Sequence, residues 1–229
     1  MPPVKRPDVR SSSVQIEAGD VRLEGVLAVP QRAVGAVLLA HENGSGRFSP
    51  RNGYVAEMLQ QRRLATLQID LLTEDEALQD SFTGNLRFNI PFLAERLAAA
   101  TDWLLQHEAT HHLAIGYLGA STGAGAALLA ATRPEARVAA VVVRGGRPDL
   151  AGSALPLVKA PTLLIVGGGD HTVLELNQHA AARLRTSKRL EVIPGAGHLF
   201  EEPGALHKVG VLARHWFERH LTPRVQEAS

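Results

Sequence analysis

Leu113-Ala114-Ile115-Gly116-Tyr117-Leu118-Gly119-Ala120-Ser121-Thr122-Gly123-Ala124-Gly125 is the stretch whose reading decides the fold. It opens as an apolar run of strand length and turns at Gly119-Ala120-Ser121-Thr122-Gly123. It continues as Ala126-Ala127-Leu128-Leu129-Ala130-Ala131, a run of strong helix formers. The order is strand, glycine-flanked serine, helix. A residue on so tight a strand-to-helix turn sits in strained backbone geometry, with its side chain pushed clear of the sheet. Side chains two residues before and after it would collide, so the G-x-S-x-G spacing has a steric origin. A small-residue turn that merely packs a helix close to a sheet has the same pattern, and the flanking chain must discriminate.

Upstream, residues 14–17 and 21–29 alternate in polarity across Gly19-Asp20, which predicts an antiparallel hairpin with one wet face. Residues 33–40 are continuously apolar, as in a strand buried on both faces, and lead into the polar loop His41-Glu42-Asn43-Gly44-Ser45-Gly46-Arg47. A helix is expected over residues 54–63 and a strand over 65–71. Residues 73–89, with Glu74-Asp75-Glu76, read as a long polar connection with a solvated acidic group. Pro91 opens a helix reaching about Gln106. Downstream of the serine, strands are expected over 137–143, 161–166 and 190–193. A helix is expected over 173–184, and a last helix starts at Glu201-Glu202-Pro203, where carboxylates suit the dipole.

After the hairpin, strands alternate with helices. The expected fold is α/β, a mostly parallel sheet with helices on both faces and no large lid domain. Residues 14–222 form one expected domain, flanked by flexible tails over 1–13 and 223–229. In such sheets, sites lie at the carboxyl ends of the strands.

A formal net charge of +1 with scattered Lys and Arg gives no footprint for nucleic acid or an anionic membrane, and aromatics are too few for a base-stacking platform. Cysteine is absent, which excludes disulfides, thiolate metal sites and a cysteine nucleophile. Residues 1–20 have no apolar core of signal-peptide length and no segment is long enough to span a bilayer, so a cytoplasmic protein is the expectation. There is no H-E-x-x-H, G-x-G-x-x-G or Gly-Lys-Ser/Thr pattern, and neither a metal nor a cofactor is expected.

A serine hydroxyl needs a base, usually histidine, and the imidazole needs a carboxylate to hold its tautomer and stabilise its charged form. Ser121 is followed by Asp170 and then His198, each in a glycine-flanked loop after a predicted strand. That is the chain order Ser, acid, His. Asp170 could instead cap the helix that follows. Asp149 and Asp70 are rival acids, the first one strand early and the second before the serine. The other histidines are placed less well: His171 directly follows the acid, while His179, His207, His215 and His220 lie in helices. A tetrahedral oxyanion needs two donors, and the loss of one typically costs about a hundredfold to a thousandfold in turnover. The N–H of Thr122 is the first candidate and that of Asn43 the second. His41 then organises its loop. Arg144 stands near a strand end as a candidate for the substrate pocket. For it and for Arg147 a loop salt bridge is the simpler reading.

Gly-Ala-Ser121-Thr-Gly, Ile165-Val166-Gly167-Gly168-Gly169-Asp170 and Gly195-Ala196-Gly197-His198 together resemble the α/β-hydrolase superfamily. Within it, the compact size, Ser49-Pro50-Arg51-Asn52, Arg144-Gly145-Gly146-Arg147-Pro148-Asp149-Leu150 and His198-Leu199-Phe200-Glu201-Glu202-Pro203 resemble the dienelactone hydrolase-like proteins over nearly the whole chain. The resemblance implies the α/β-hydrolase fold. It also implies Ser121 as nucleophile, Asp170 as acid, His198 as base, and hydrolysis of esters or lactones through an acyl-enzyme. Two departures stand out. Dienelactone hydrolases proper use a cysteine nucleophile, which this chain lacks. The loop expected to begin His-Gly begins His41-Glu42, which puts a carboxylate beside the expected oxyanion hole and makes Glu42 a candidate pocket residue.

The expected function is a serine carboxylesterase acting on small acyl esters. A lactonase, amidase, polyester hydrolase or acyltransferase would use the same triad, and a non-catalytic binding protein could reuse the fold. The expected partner is a small-molecule ester, with no nucleic acid and no membrane; a homodimer is compatible with the chain.

Overall fold

In a computed structural model, residues 7–41 and 46–222 are described. One eight-stranded sheet organises them, in the order β1-β2-β4-β3-β5-β6-β7-β8. β1 (Val9–Ala18) and β2 (Val21–Pro30) pair antiparallel, and β2 pairs antiparallel with β4 (Leu64–Asp70). From β4 onward every pairing is parallel, through β3 (Gly35–His41), β5 (Ile115–Ala120), β6 (Val138–Arg144), β7 (Thr162–Gly167) and β8 (Lys188–Ile193). This is the mostly parallel sheet with an N-terminal antiparallel hairpin expected from the alternation of elements, and it matches the fold that the resemblance implied.

β4 lies on one side of β3 and β5 on the other. The chain therefore reverses its direction of travel across the sheet at β3. Crevices open at the carboxyl ends of strands where such a switch occurs. Here that place lies between the ends of β3 and β5, paired through Ala40 and Gly119.

Helices cover both faces. α1 (Pro50–Gln60) and α6 (Ala205–Leu221) share one core, which holds Val55, Leu59, Val209, Phe217 and the side chains of Val37, Leu39 and Leu118. α3 (Ile90–Gln106), α4 (Gly123–Ala130) and α5 (His171–Arg183) cover the other face with Leu93, Leu97, Leu128 and Ala180 against Leu38, Tyr117 and Leu164. Each fully buried Leu or Phe side chain contributes about 1.5–3 kcal/mol relative to its exposed state. The central strands must bury both faces, which explains why their sequences are continuously apolar rather than alternating.

Three expectations change. Residues 9–13, expected in an N-terminal tail, belong to β1, which begins at Val9, and Ser11, Ser12 and Ser13 pair with Ala28, Leu27 and Val26. Their side chains are exposed, so the edge strand is held there by backbone bonds and leaves no hydrophobic pattern. Only residues 1–6 of that segment, and the expected tail over 223–229, lie outside the described residues. The last helix begins at Ala205, after Gly204, rather than at Glu201.

The third change is larger. The expected polar connection contains a helix, α2 (Glu74–Thr83), started by a capping box in which Thr73 and Glu76 exchange side-chain and backbone bonds. The acidic group is not uniformly solvated. Glu76 pairs with Arg96, which is buried in α3 and also donates to the Leu71 carbonyl at 2.9 Å. Asp80 is the buried residue of α2 and closes the following turn by accepting from the Leu86 amide at 2.7 Å and from Arg87 at 2.6 Å. The helix thus presents polar groups inward and leaves Leu78 and Phe82 exposed. That inverts the pattern by which a surface helix is recognised.

Desolvation works against the charged form of Glu76, but the bonds from Arg96 and the Thr73 amide outweigh it and hold its pKa below the ordinary 4.5. Desolvation is likewise outweighed at Asp80, by Arg87 and two amides, and its pKa falls below 3.8. Depressed folded values mean that the unfolded chain takes up protons first. The stability these groups supply is therefore present above the ordinary carboxylate range and lost as pH falls through their folded values. Glu76→Gln should lower stability to urea at pH 7 by about 1–3 kcal/mol, since it leaves Arg96 buried without its counter-charge. The gap to the parent protein should narrow steadily on acidification below the carboxylate range; a gap that stays constant there would exclude ionic anchoring of α2.

Candidate active site

Strand β5 ends at Ala120 and α4 begins at Gly123, leaving Ser121 and Thr122 to make the turn. Ser121 has φ 47°, a left-handed conformation that a side chain adopts only when its surroundings impose it. Two backbone bonds do so: the Ser121 carbonyl accepts from the Arg147 amide at 2.8 Å and from the Ala124 amide at 3.3 Å. Gly119 has the steric role expected of it. A Cβ there would lie 2.7 Å from both the Ala124 Cα and the Gly123 carbonyl oxygen. Thr122 is buried, and neither its amide nor its hydroxyl has a bonding partner among the described residues.

Asp170 and His198 stand at the ends of the next parallel strands. β7 runs out through Gly167-Gly168-Gly169 to Asp170, and β8 through Pro194-Gly195-Ala196-Gly197 to His198. Backbone bonds zip the two loops together, from the Gly168 amide to the Ile193 carbonyl at 2.9 Å and from the Gly169 amide to the Ala196 carbonyl at 2.8 Å. Gly167 has no room for a side chain, because a Cβ would strike the carbonyl oxygens of Ala196 and Gly197. So joined, the loops bring His198 Nδ1–H to donate to Asp170 Oδ2 at 2.7 Å. The other oxygen of Asp170, Oδ1, accepts from the Val173 amide at 3.2 Å and caps α5. Capping the helix and holding the imidazole are therefore simultaneous, one carboxylate oxygen to each. With Nδ1 carrying the proton, Nε2 of a neutral His198 is left as an acceptor. The imidazole is about half exposed at 48% and the carboxylate is mostly buried at 16%.

The β6 loop draws the serine and histidine segments together. The space beside Gly145 is filled by the His198 carbonyl and the Phe200 ring, while Gly146 packs against Ala124 and the Ser121 carbonyl. Arg144, the last residue of β6, is half-buried and stands in register with Ala120 and Ile165 at the same edge of the sheet. Asn43 and Glu42 lie outside the described residues, as does the side chain of His41.

The rival acids are engaged elsewhere. Both oxygens of Asp149 take the Arg147 guanidinium, at 2.9 and 2.8 Å. That pairing raises the Arg147 pKa and accounts for Arg147 as a loop ion pair. Asp70 is fully buried and paired with Arg47, which also reaches Glu24 at 2.5 Å.

Two supporting residues were not legible from the motifs. Glu202, expected to favour a helix dipole, instead accepts the Gly197 amide at 2.8 Å and so braces the loop that carries His198. Asn177, fully buried in α5, donates to the Gly146 carbonyl at 3.0 Å. A polar residue at the i+4 position from Val173, on the face that buries Val173 and Ala180, was the available signal. Among the described residues no cluster of three His, Asp or Glu is arranged to hold a metal ion, and no helix is long and apolar enough to cross a membrane.

Comparison with known proteins agrees with this architecture. Residues 68–216 match the model of the dienelactone hydrolase family. A crystal structure of dienelactone hydrolase from Anabaena variabilis is 57% identical, with a TM-score of 0.89 over 94% of this chain and 99% of that one. Est1E from Butyrivibrio proteoclasticus shares the fold at 15% identity, with a TM-score of 0.74 over 90% of this chain and 98% of its own. A Mycobacterium tuberculosis protein named "Putative phosphoribosyl transferase" is 53% identical over 215 residues, covering 94% of this chain and 48% of that protein. The chain thus spans about half the length of the curated relatives it matches. On the extent of these matches, the chain belongs to the dienelactone hydrolase family, a family of hydrolases built on the α/β-hydrolase fold.

Proposed function

We propose that this chain is a serine hydrolase that cleaves small acyl esters through an acyl-enzyme. The observation that carries the reading is the Asp170 to His198 hydrogen bond at the same sheet edge as a left-handed Ser121. A carboxylate on Nδ1 leaves Nε2 as the base, and a serine on a strained turn presents its hydroxyl above the sheet.

In this mechanism His198 Nε2 takes the proton of Ser121 as Oγ attacks the ester carbonyl. Asp170 keeps the imidazole in the required tautomer and stabilises the imidazolium. The Thr122 amide, which has no other acceptor among the described residues, donates to the oxyanion. The Asn43 amide is assigned as the second donor. The imidazolium returns its proton to the departing alcohol, and the same groups then activate water against the acyl-enzyme. Glu42 and Arg144 are assigned to the substrate pocket.

Acid, base and hydroxyl in this arrangement serve acyl transfer. We therefore assign the transferase activity named for the Mycobacterium relatives to the half of those proteins that this chain does not match. Product analysis with competing alcohols, lactones and amides separates esterase from the other acyl-transfer reactions.

A fluorophosphonate probe should form an adduct at Ser121 in the folded protein. Ser121→Ala should lose the adduct and at least about a thousandfold in turnover of an aryl ester; retention of parental turnover would sink the reading. Asp170→Asn keeps an oxygen for the α5 cap but no longer enforces the Nδ1–H tautomer. It should cost roughly a hundredfold to ten-thousandfold in kcat while leaving the urea midpoint close to that of the parent.

A further inference from the structure

We infer that Asn177 is a positioning residue for Ser121, acting through the peptide unit between Gly146 and Arg147. The inference rests on the serine-hydrolase reading and concerns how the elbow of that enzyme is held.

The starting point is a fully buried polar side chain in α5. Asn177 is 0% exposed, on the sheet-facing side of α5. Its Nδ2 donates to the Val173 carbonyl within its own helix at 2.8 Å and to the Gly146 carbonyl at 3.0 Å. Two carbonyl acceptors identify that atom as the amide nitrogen, since an oxygen there would face two other oxygens. The side-chain oxygen, Oδ1, has no partner among the described residues. A buried acceptor left unpaired costs about 1–3 kcal/mol, a cost set against the two bonds that Nδ2 donates.

What Asn177 holds is one face of a single peptide. The carbonyl of Gly146 and the amide of Arg147 belong to the same planar trans unit and point in opposite directions. The carbonyl side accepts from Asn177 and the amide side donates to the Ser121 carbonyl at 2.8 Å. The bonds therefore run in series from the Asn177 side chain through one peptide to the carbonyl of the left-handed serine. Each bond polarises the next. Freed from Asn177, that peptide can rotate, and the stronger of the two bonds that oppose relaxation of the elbow weakens with it.

The same residue sets a distance. Asn177 lies seven residues after Asp170 on one helix, nearly two turns along and on a similar face. α5 thus carries the acid at its N-terminus and, farther along, the tie to the nucleophile. The elbow, the β6 loop and the helix that bears Asp170 become one rigid unit, and Ser121 is fixed relative to the His198 ring held by that carboxylate.

Asn177→Leu keeps volume and burial while removing the donor. It should lower kcat for an aryl ester about tenfold to a hundredfold, with KM changed less than about threefold, because displacement of reacting atoms costs rate rather than binding. The rate of fluorophosphonate labelling at Ser121 should fall in parallel. Exchange of the Arg147 amide with solvent should accelerate. Thr110→Val is the control: it removes a different buried side-chain bond, to the Leu104 carbonyl, at the opposite edge of the sheet. It should leave kcat within about twofold at a comparable loss of stability.

A folded Asn177→Leu protein with kcat within about twofold of the parent, or with unchanged exchange at Arg147, overturns the inference. Should that variant not fold, Asn177→Asp retains the shape. Its carboxyl can donate to Gly146 only while protonated, so its activity should drop relative to the parent as that group ionises; a parallel pH profile overturns the inference equally. Absence of any adduct in the parent protein is a different result and strikes the hydrolase reading itself, while the exchange measurement still reports on the tie.

Discussion

A serine with φ 47° between a strand and a helix is the constraint on which the rest of the site depends. Left-handed backbone at a residue with a side chain costs on the order of 1–3 kcal/mol and persists only where the surroundings leave no alternative. The surroundings here are specific. The Gly119 position has space for no side chain, the Ala124 amide closes the first turn of α4, and the Arg147 amide holds the serine carbonyl from the neighbouring strand's loop. The parallel sheet makes this support available, because it brings the ends of β5 and β6 side by side in a fixed register. The strand order reverses at β3, so the serine stands at the edge where sheets of this kind place their sites.

Asp170 and His198 are positioned by a different device. Neither is fixed by its own strand alone. The loops after β7 and β8 are joined by backbone bonds across two glycine-rich segments, and Glu202 braces the second from outside. Asp170 then divides its two oxygens between a helix N-terminus and an imidazole. The division is economical, since the helix amide and the histidine fix the carboxylate from two directions. It also orients the ring from a group that is itself immobile.

Charge elsewhere in the molecule anchors structure. Arg96 and Glu76 fasten α2, Asp80 closes the turn that follows it, Arg47 and Asp70 pin the chain beyond β3 to β4, and Arg147 occupies Asp149. Each of these acids looks like its neighbours in sequence. What separates Asp170 from Asp149 is the neighbour each meets, and that neighbour is a distant histidine in one case and an arginine two residues away in the other.

The sequence by itself determined the sheet, its mostly parallel character and the order Ser121, Asp170, His198, because burial on both faces and tight glycine turns leave local signals of composition and spacing. It was silent where the cause is not local. Ser11 to Ser13 join β1 through backbone bonds that no side chain announces, and α2 is held by an ion pair to α3 and another to the turn between them instead of an apolar stripe. Only the tertiary structure decided that Asp170 caps a helix and holds His198 at once. It alone put Asn177 behind the peptide that supports Ser121. Those contacts join segments far apart in the chain, and their geometry is set by strand register and loop packing rather than by the identity of adjacent residues.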